Sequence, residues 1–114
     1  MSTHSRIGIL FDGNIEHVYC HFDGYPEYML TILTQNYADE TQAFELVALG
    51  NLSFVGTNIN ETEAYCRDRK ESWFSCHPIQ GDTIQEFKQK MEEEHANHGY
   101  LFDCDKGVWT HITR

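Results

Sequence analysis

Tyr19-Cys20-His21-Phe22-Asp23-Gly24-Tyr25-Pro26-Glu27-Tyr28 is the stretch where an alternating run ends, the chain turns and a helix begins. Read as a strand from Ile15, the run has a period of two, with Val18, Cys20 and Phe22 on one face and His17, Tyr19 and His21 on the other. The first set is apolar and suits a core. The second is polar and aromatic and suits a site. Gly24 admits backbone conformations closed to other residues, and Pro26 is preset for the first turn of a helix. Asp23 and Tyr25 are therefore expected at a strand-to-helix corner beside His21.

Working outward, Arg6–Phe11 and Ile15–Phe22 flank Asp12-Gly13-Asn14, a strong hairpin signal. A helix is predicted from Pro26 to Tyr37, with Leu30, Leu33 and Tyr37 on one face and Glu27 in the first turn. Asp39 with Gln42 predicts a capped second helix over Glu40–Leu49, stopped at Gly50. Residues 51–60 read as an irregular connection, Thr62–Arg67 as a short strand and Arg67–Ser72 as a loop. Trp73–His77 is apolar but of open assignment before Pro78. Asp82 with Gln85 predicts a third helix bearing Ile84, Phe87 and Met91 and ending by Gly99. Tyr100–Ile112 reads as a hairpin turning at Asp105-Lys106-Gly107. The expected class is α+β, one domain over 1–114: an antiparallel sheet from the terminal hairpins, covered by about three helices on one face. Val18, Cys20 and Phe22 are expected beneath the helices bearing Leu33 and Phe87.

The chain carries 8 Lys and Arg against 18 Asp and Glu, a net charge of -10 that repels nucleic acid and anionic membrane. No apolar run reaches the ~20 residues of a membrane span, and Met1–Ile7 lacks a secretory block. Cytosolic residence is the expectation, with Cys20, Cys66, Cys76 and Cys104 as reduced thiols. The acidity reads either as a solvated face or as mimicry of DNA by an inhibitor of a host protein.

Three groups of residues could carry chemistry. His17, Tyr19, His21 and Asp23 could form a recognition face, or an acid-base pair of His21 with Asp23 in an enzyme. Arg67-Asp68-Arg69-Lys70-Glu71 holds three of the eight basic residues in four positions. Arginine pairs donors onto phosphate or carboxylate, and an adjacent Trp73 could stack on a base, although a local ion-pair network is the alternative. The donors in His17-x3-His21, Cys20-His21, Cys76-His77 and His95-x2-His98 lack the spacing of a metal site, so no metal or cofactor is expected. His95 and His98 are expected to end a helix, where positive charge is favoured.

Tyr19 to Pro26, and Tyr65-Cys66-Arg67-Asp68-Arg69-Lys70-Glu71 after it, resemble a family of small uncharacterised proteins of phages and mobile elements. That family's signature reads Tyr-Cys-His-Trp-Asp-Gly-Tyr-Pro followed by Arg-Asp-Arg-Gly-Glu. Phe22 stands here in the Trp position and Lys70 in the Gly position. The resemblance covers most of the chain and implies viral origin without an established activity. The resulting expectation is a phage-type protein that binds an anionic small molecule, such as a nucleotide signal of host antiviral defence. Its ligand residues would be Tyr19, His21, Asp23, Tyr25, Arg67, Arg69 and Trp73. A hydrolase using His21 and Asp23, and an acidic inhibitor of a host defence protein, are the alternatives. Self-association is compatible with each.

Overall fold

The structure, a computed structural model, describes residues 3–113, so the reading of Met1–Ile7 falls partly outside it. Asp12 and Gly13 both take positive φ, 52° and 78°, as a two-residue hairpin turn matched to strand twist requires. They join β1 (Ser5–Phe11) to β2 (Asn14–Cys20) in an unbroken antiparallel register from Ser5 opposite Cys20 to Phe11 opposite Asn14. Pro26 opens α1 (Pro26–Asn36), and the Asp39 carboxylate accepts from Gln42 N at 2.8 Å to cap α2 (Glu40–Ala48). Then come β3 (Leu52–Phe54), β4 (Glu63–Ala64), α3 (Tyr65–Arg69) and α4 (Trp73–Cys76). The chain closes with β5 (Ile79–Asp82), α5 (Ile84–Glu93), β6 (His98–Asp103) and β7 (Val108–Thr113).

These strands form one sheet in the order β4-β3-β2-β1-β6-β7, with β5 also paired to β2. The α+β class and the joining of the terminal hairpins stand, but the sheet is mixed: β1 runs parallel to β6, and β2 parallel to β3. A parallel return needs a crossover, and each is a helical segment. α1 and α2 carry the chain from β2 to β3. α5 carries it from β5, which like β1 is antiparallel to β2, to β6 beyond β1.

The two crossovers lie on opposite faces, so the helices do not share one face as expected. Ile7, Ile9, Val18, Cys20, Tyr100 and Phe102 pack with Met29, Leu33 and Leu46 of α1 and α2. Ile15 and Leu101 pack with Phe87 and Met91 of α5. Alternation along each strand thus feeds two cores. Gly99 lets α5 approach: a Cβ there would stand 2.6 Å from Phe87 Cε2 and 2.8 Å from Met91 Sδ.

Several local expectations shift. Phe22 is 41% exposed and not buried with Val18 and Cys20, because β2 ends at Cys20 and the chain bends before Asp23 at φ 58°. The capping box of α5 is Thr83 with Glu86, one residue later than expected, which leaves the Asp82 side chain for another partner. α5 ends at Glu93, and His98 lies in β6 instead of at a helix end. Only Glu63–Ala64 of Thr62–Arg67 is strand; Asp68 accepts from Ala64 N at 2.8 Å and the chain turns helical where a loop was expected. All four cysteines are free thiols, and no helix of the described residues is long and apolar enough to cross a membrane.

Removing the ring that fills the second core, Phe87→Ala, is expected to cost about 3–5 kcal/mol in chemical denaturation. Phe22→Ala should stay within about 0.5 kcal/mol. Comparable losses at both would place Phe22 in a core after all.

Candidate functional site

His17, expected on an open face, is wholly buried. Arg6 Nε donates to His17 Nδ1 at 2.8 Å, so the ring proton sits on Nε2, which donates to Asp82 Oδ2 at 2.9 Å. Arg6, itself 2% exposed, also pairs with Glu94 just after α5, and Phe87 meets the imidazole edge-on. Burial and the Arg6 charge push His17 down to about 4. His17 therefore stays neutral, and both ring nitrogens are engaged within the fold. It joins β1, β2, β5 and α5 and leaves no nitrogen for a ligand.

Tyr19 and His21 lie further along the same strand face, beyond the cover of α5. Burial, with the Tyr65 phenol nearby, pushes Tyr19 up to about 12, and its hydroxyl shares a 2.8 Å hydrogen bond with His21 Nδ1. His4 Nδ1 in turn donates to the His21 carbonyl at 2.8 Å, with the two imidazoles 4.5 Å apart. Burial first, then His4 and Arg69, hold His21 below its ordinary value. These bonds leave His21 Nε2 and His4 Nε2 without a hydrogen bond among the described residues.

α3 completes the platform. The Arg69 guanidinium lies 5.1 Å over the Tyr65 ring, and its Nη2 donates to Glu63 at 2.8 Å. Its side chain is 47% exposed, and its charge is felt at His21. Asn51, which the sequence reading left inside the irregular connection over 51–60, positions these parts. Its side-chain oxygen accepts from Tyr19 N at 3.0 Å where β3 and β5 diverge along β2. Its carbonyl accepts from Tyr65 N, and its own N–H donates to Cys76. Only the run Gly50-Asn51 after a helix hinted at a special role, and the partners lie far away in sequence.

The other expected residues do not converge here. Asp23 is exposed, and its charge acts on Tyr28 and Cys20, toward the α1 side of the sheet. His21 is thus bonded to Tyr19, and the expected His21–Asp23 pair is not formed. Tyr25 contacts Tyr28, with ring centroids 6.3 Å apart. Arg67 is committed by paired bonds to Asp68 at 3.0 and 2.9 Å and by a further bond to the Thr62 carbonyl. Trp73 packs at Gly50 and lines a separate cleft of about 360 Å³ with His77, Pro78 and Ile79. No group of three or more His, Cys, Asp or Glu among the described residues is placed to hold a metal ion.

The buried imidazole has a measurable consequence. Unfolded, His17 takes up a proton near its ordinary 6.5; folded, it resists protonation down to about 4. Between those values the unfolded chain binds the extra proton, so stability falls as pH falls through this window by roughly 3 kcal/mol, then levels off. Denaturation of the wild type and His17→Gln across pH 7 to 3.5 isolates this slope, which should vanish in the variant. No family model, curated protein or solved structure matches this chain.

Proposed function

We propose that the chain binds a small anionic, nucleotide-like ligand on the platform of His4, Tyr19, His21, Tyr65 and Arg69, and retains it unchanged. The observation that carries this reading is Arg69: a half-exposed guanidinium stacked on a phenol, with one nitrogen on Glu63, beside the imidazoles of His4 and His21. Nη1 and Nε of Arg69 supply donors for a phosphate oxygen. The Nε2 atoms of His21 and His4 can hydrogen-bond a heterocycle edge, and the aromatic rings offer stacking area.

Charge narrows the ligand. Arg69 is offset by its ion pair with Glu63, and the chain as a whole carries -10. Such a surface suits one phosphate charge, as in a phosphodiester, and disfavours the several charges of a nucleoside triphosphate. Retention without turnover is favoured because the described partners of His21 include no carboxylate to act with it as a base. The resemblance of Tyr19–Pro26 to the phage family supports assigning the role to sequestration of a nucleotide signal of host antiviral defence.

The test is calorimetric titration with cyclic and linear mononucleotides, dinucleotides and triphosphates, each mixture then analysed by mass spectrometry. Intact, retained phosphodiester is the expected result. Arg69→Ala should weaken binding roughly 10- to 150-fold, the scale of one charged hydrogen bond. Arg67→Ala should leave affinity within about threefold while lowering stability, because it removes a clamp between β4 and α3. Conversion of the nucleotide would make the chain an enzyme, and no retention of any nucleotide would overturn the assignment.

A further inference from the structure

On the α1 face of the sheet, opposite the face that bears Tyr19 and His21, two imidazoles meet nitrogen to nitrogen. The register of β6 and β7 sets His98 opposite Thr113 and Tyr100 opposite His111, so His98 and His111 are diagonal neighbours on that face. His98 Nδ1 and His111 Nε2 stand 2.9 Å apart, with ring centroids at 5.0 Å. Tyr100 fixes the place of the second ring. It is wholly buried, its hydroxyl donates to the Gly24 carbonyl at 2.6 Å, and its ring stacks on His111 at 5.2 Å and 23°. Both histidines are partly exposed, and neither makes another hydrogen bond among the described residues.

At a wet rim, a hydrogen bond between two imidazoles competes with water and contributes little. The spacing suits a different occupant. Two metal–imidazole bonds of about 2.0–2.1 Å meeting at a right angle hold their nitrogens about 2.9 Å apart, whereas a tetrahedral angle spreads them to about 3.3 Å. Charge agrees with this. Glu27, in the first turn of α1, acts on both His98 and Tyr100, and the chain carries -10, so a cation is drawn to this face. Other histidines are worse placed: His17 has both nitrogens committed, and His21, beside His4, feels the Arg69 charge.

We propose that His98 Nδ1 and His111 Nε2 bind a divalent transition metal in cis positions, copper(II) before nickel(II) or zinc(II), with water in the remaining positions. Copper(II) is selected by its tetragonal geometry and by its place at the top of the affinity order for such donors. Both rings bind as neutral imidazoles. The proton lying between the facing nitrogens moves to the outer nitrogen of its own ring, His98 Nε2 or His111 Nδ1, and none is released. With two protein ligands, the site is distinct from the groups of three or more that the described residues lack. It stands independently of the nucleotide reading.

The test is titration of the full chain with copper sulfate at neutral pH in a non-coordinating buffer, read by electron paramagnetic resonance. One equivalent should bind, with an axial spectrum split by two imidazole nitrogens, and zinc should bind more weakly. His98→Gln and His111→Gln should each weaken copper binding at least about tenfold, the scale of losing even a group that only supports a ligand. The melt of the metal-free chain should not change. Should one glutamine disturb the fold, the other variant decides alone, since either ring is half the site. His95→Ala, at an exposed histidine after α5, should leave the spectrum as it is. A chain that binds no copper overturns the proposal. So does a spectrum that survives both glutamines, one that His4→Ala removes instead, or one that shows thiolate ligation.

Discussion

A guanidinium taken out of water sets the terms for one face of this protein. Arg6 is almost fully buried, and a buried charge is tolerated only where its donors are met. Glu94 supplies the opposing charge, and His17 supplies a neutral acceptor whose Nε2–H donates to Asp82. Each partner comes from a different part of the chain, so satisfying Arg6 fixes how β5 lies on β2 and where α5 ends. Removing one partner leaves an uncompensated charge inside, which costs more than the pair itself contributes.

That network divides the polar face of β2 into two regions. Where α5 covers the strand, the histidine is structural and unavailable. Beyond the helix, Tyr19 and His21 stand at the rim and are joined by His4 and by the short helix that Asn51 draws up to the sheet. The platform is built from hydrogen-bonding and aromatic groups around the half-exposed guanidinium of Arg69. Among the described partners of His21 there is no carboxylate to move a proton with it, which is why recognition is proposed over turnover.

The same economy of charge distinguishes the two ends of the sheet. β4 at one end carries Glu63, whereas Val108–Thr113 of β7 at the other carries no Asp or Glu.

Local rules are legible in the sequence wherever neighbours along the chain decide the outcome. Asp12-Gly13 specifies its turn, Pro26 and Asp39 start their helices, and alternation in Ile15–Cys20 specifies which residues share a face. The α+β class and the union of the two terminal hairpins follow from those elements. What the pattern could not say is which face meets which partner. A histidine between apolar residues reads as a site until a buried arginine more than ten residues away is found to need it, as Arg6 needs His17. Asp82 reads as a helix cap until the box forms one residue later and its carboxylate turns to His17. Two arginines two residues apart read as one clamp, but Asp68 commits Arg67 whereas Glu63 leaves Arg69 half exposed. Parallel pairing, opposite-face helices and the position of Asn51 arise only when distant segments compete for the same strand edge, a long-range choice that periodicity does not encode.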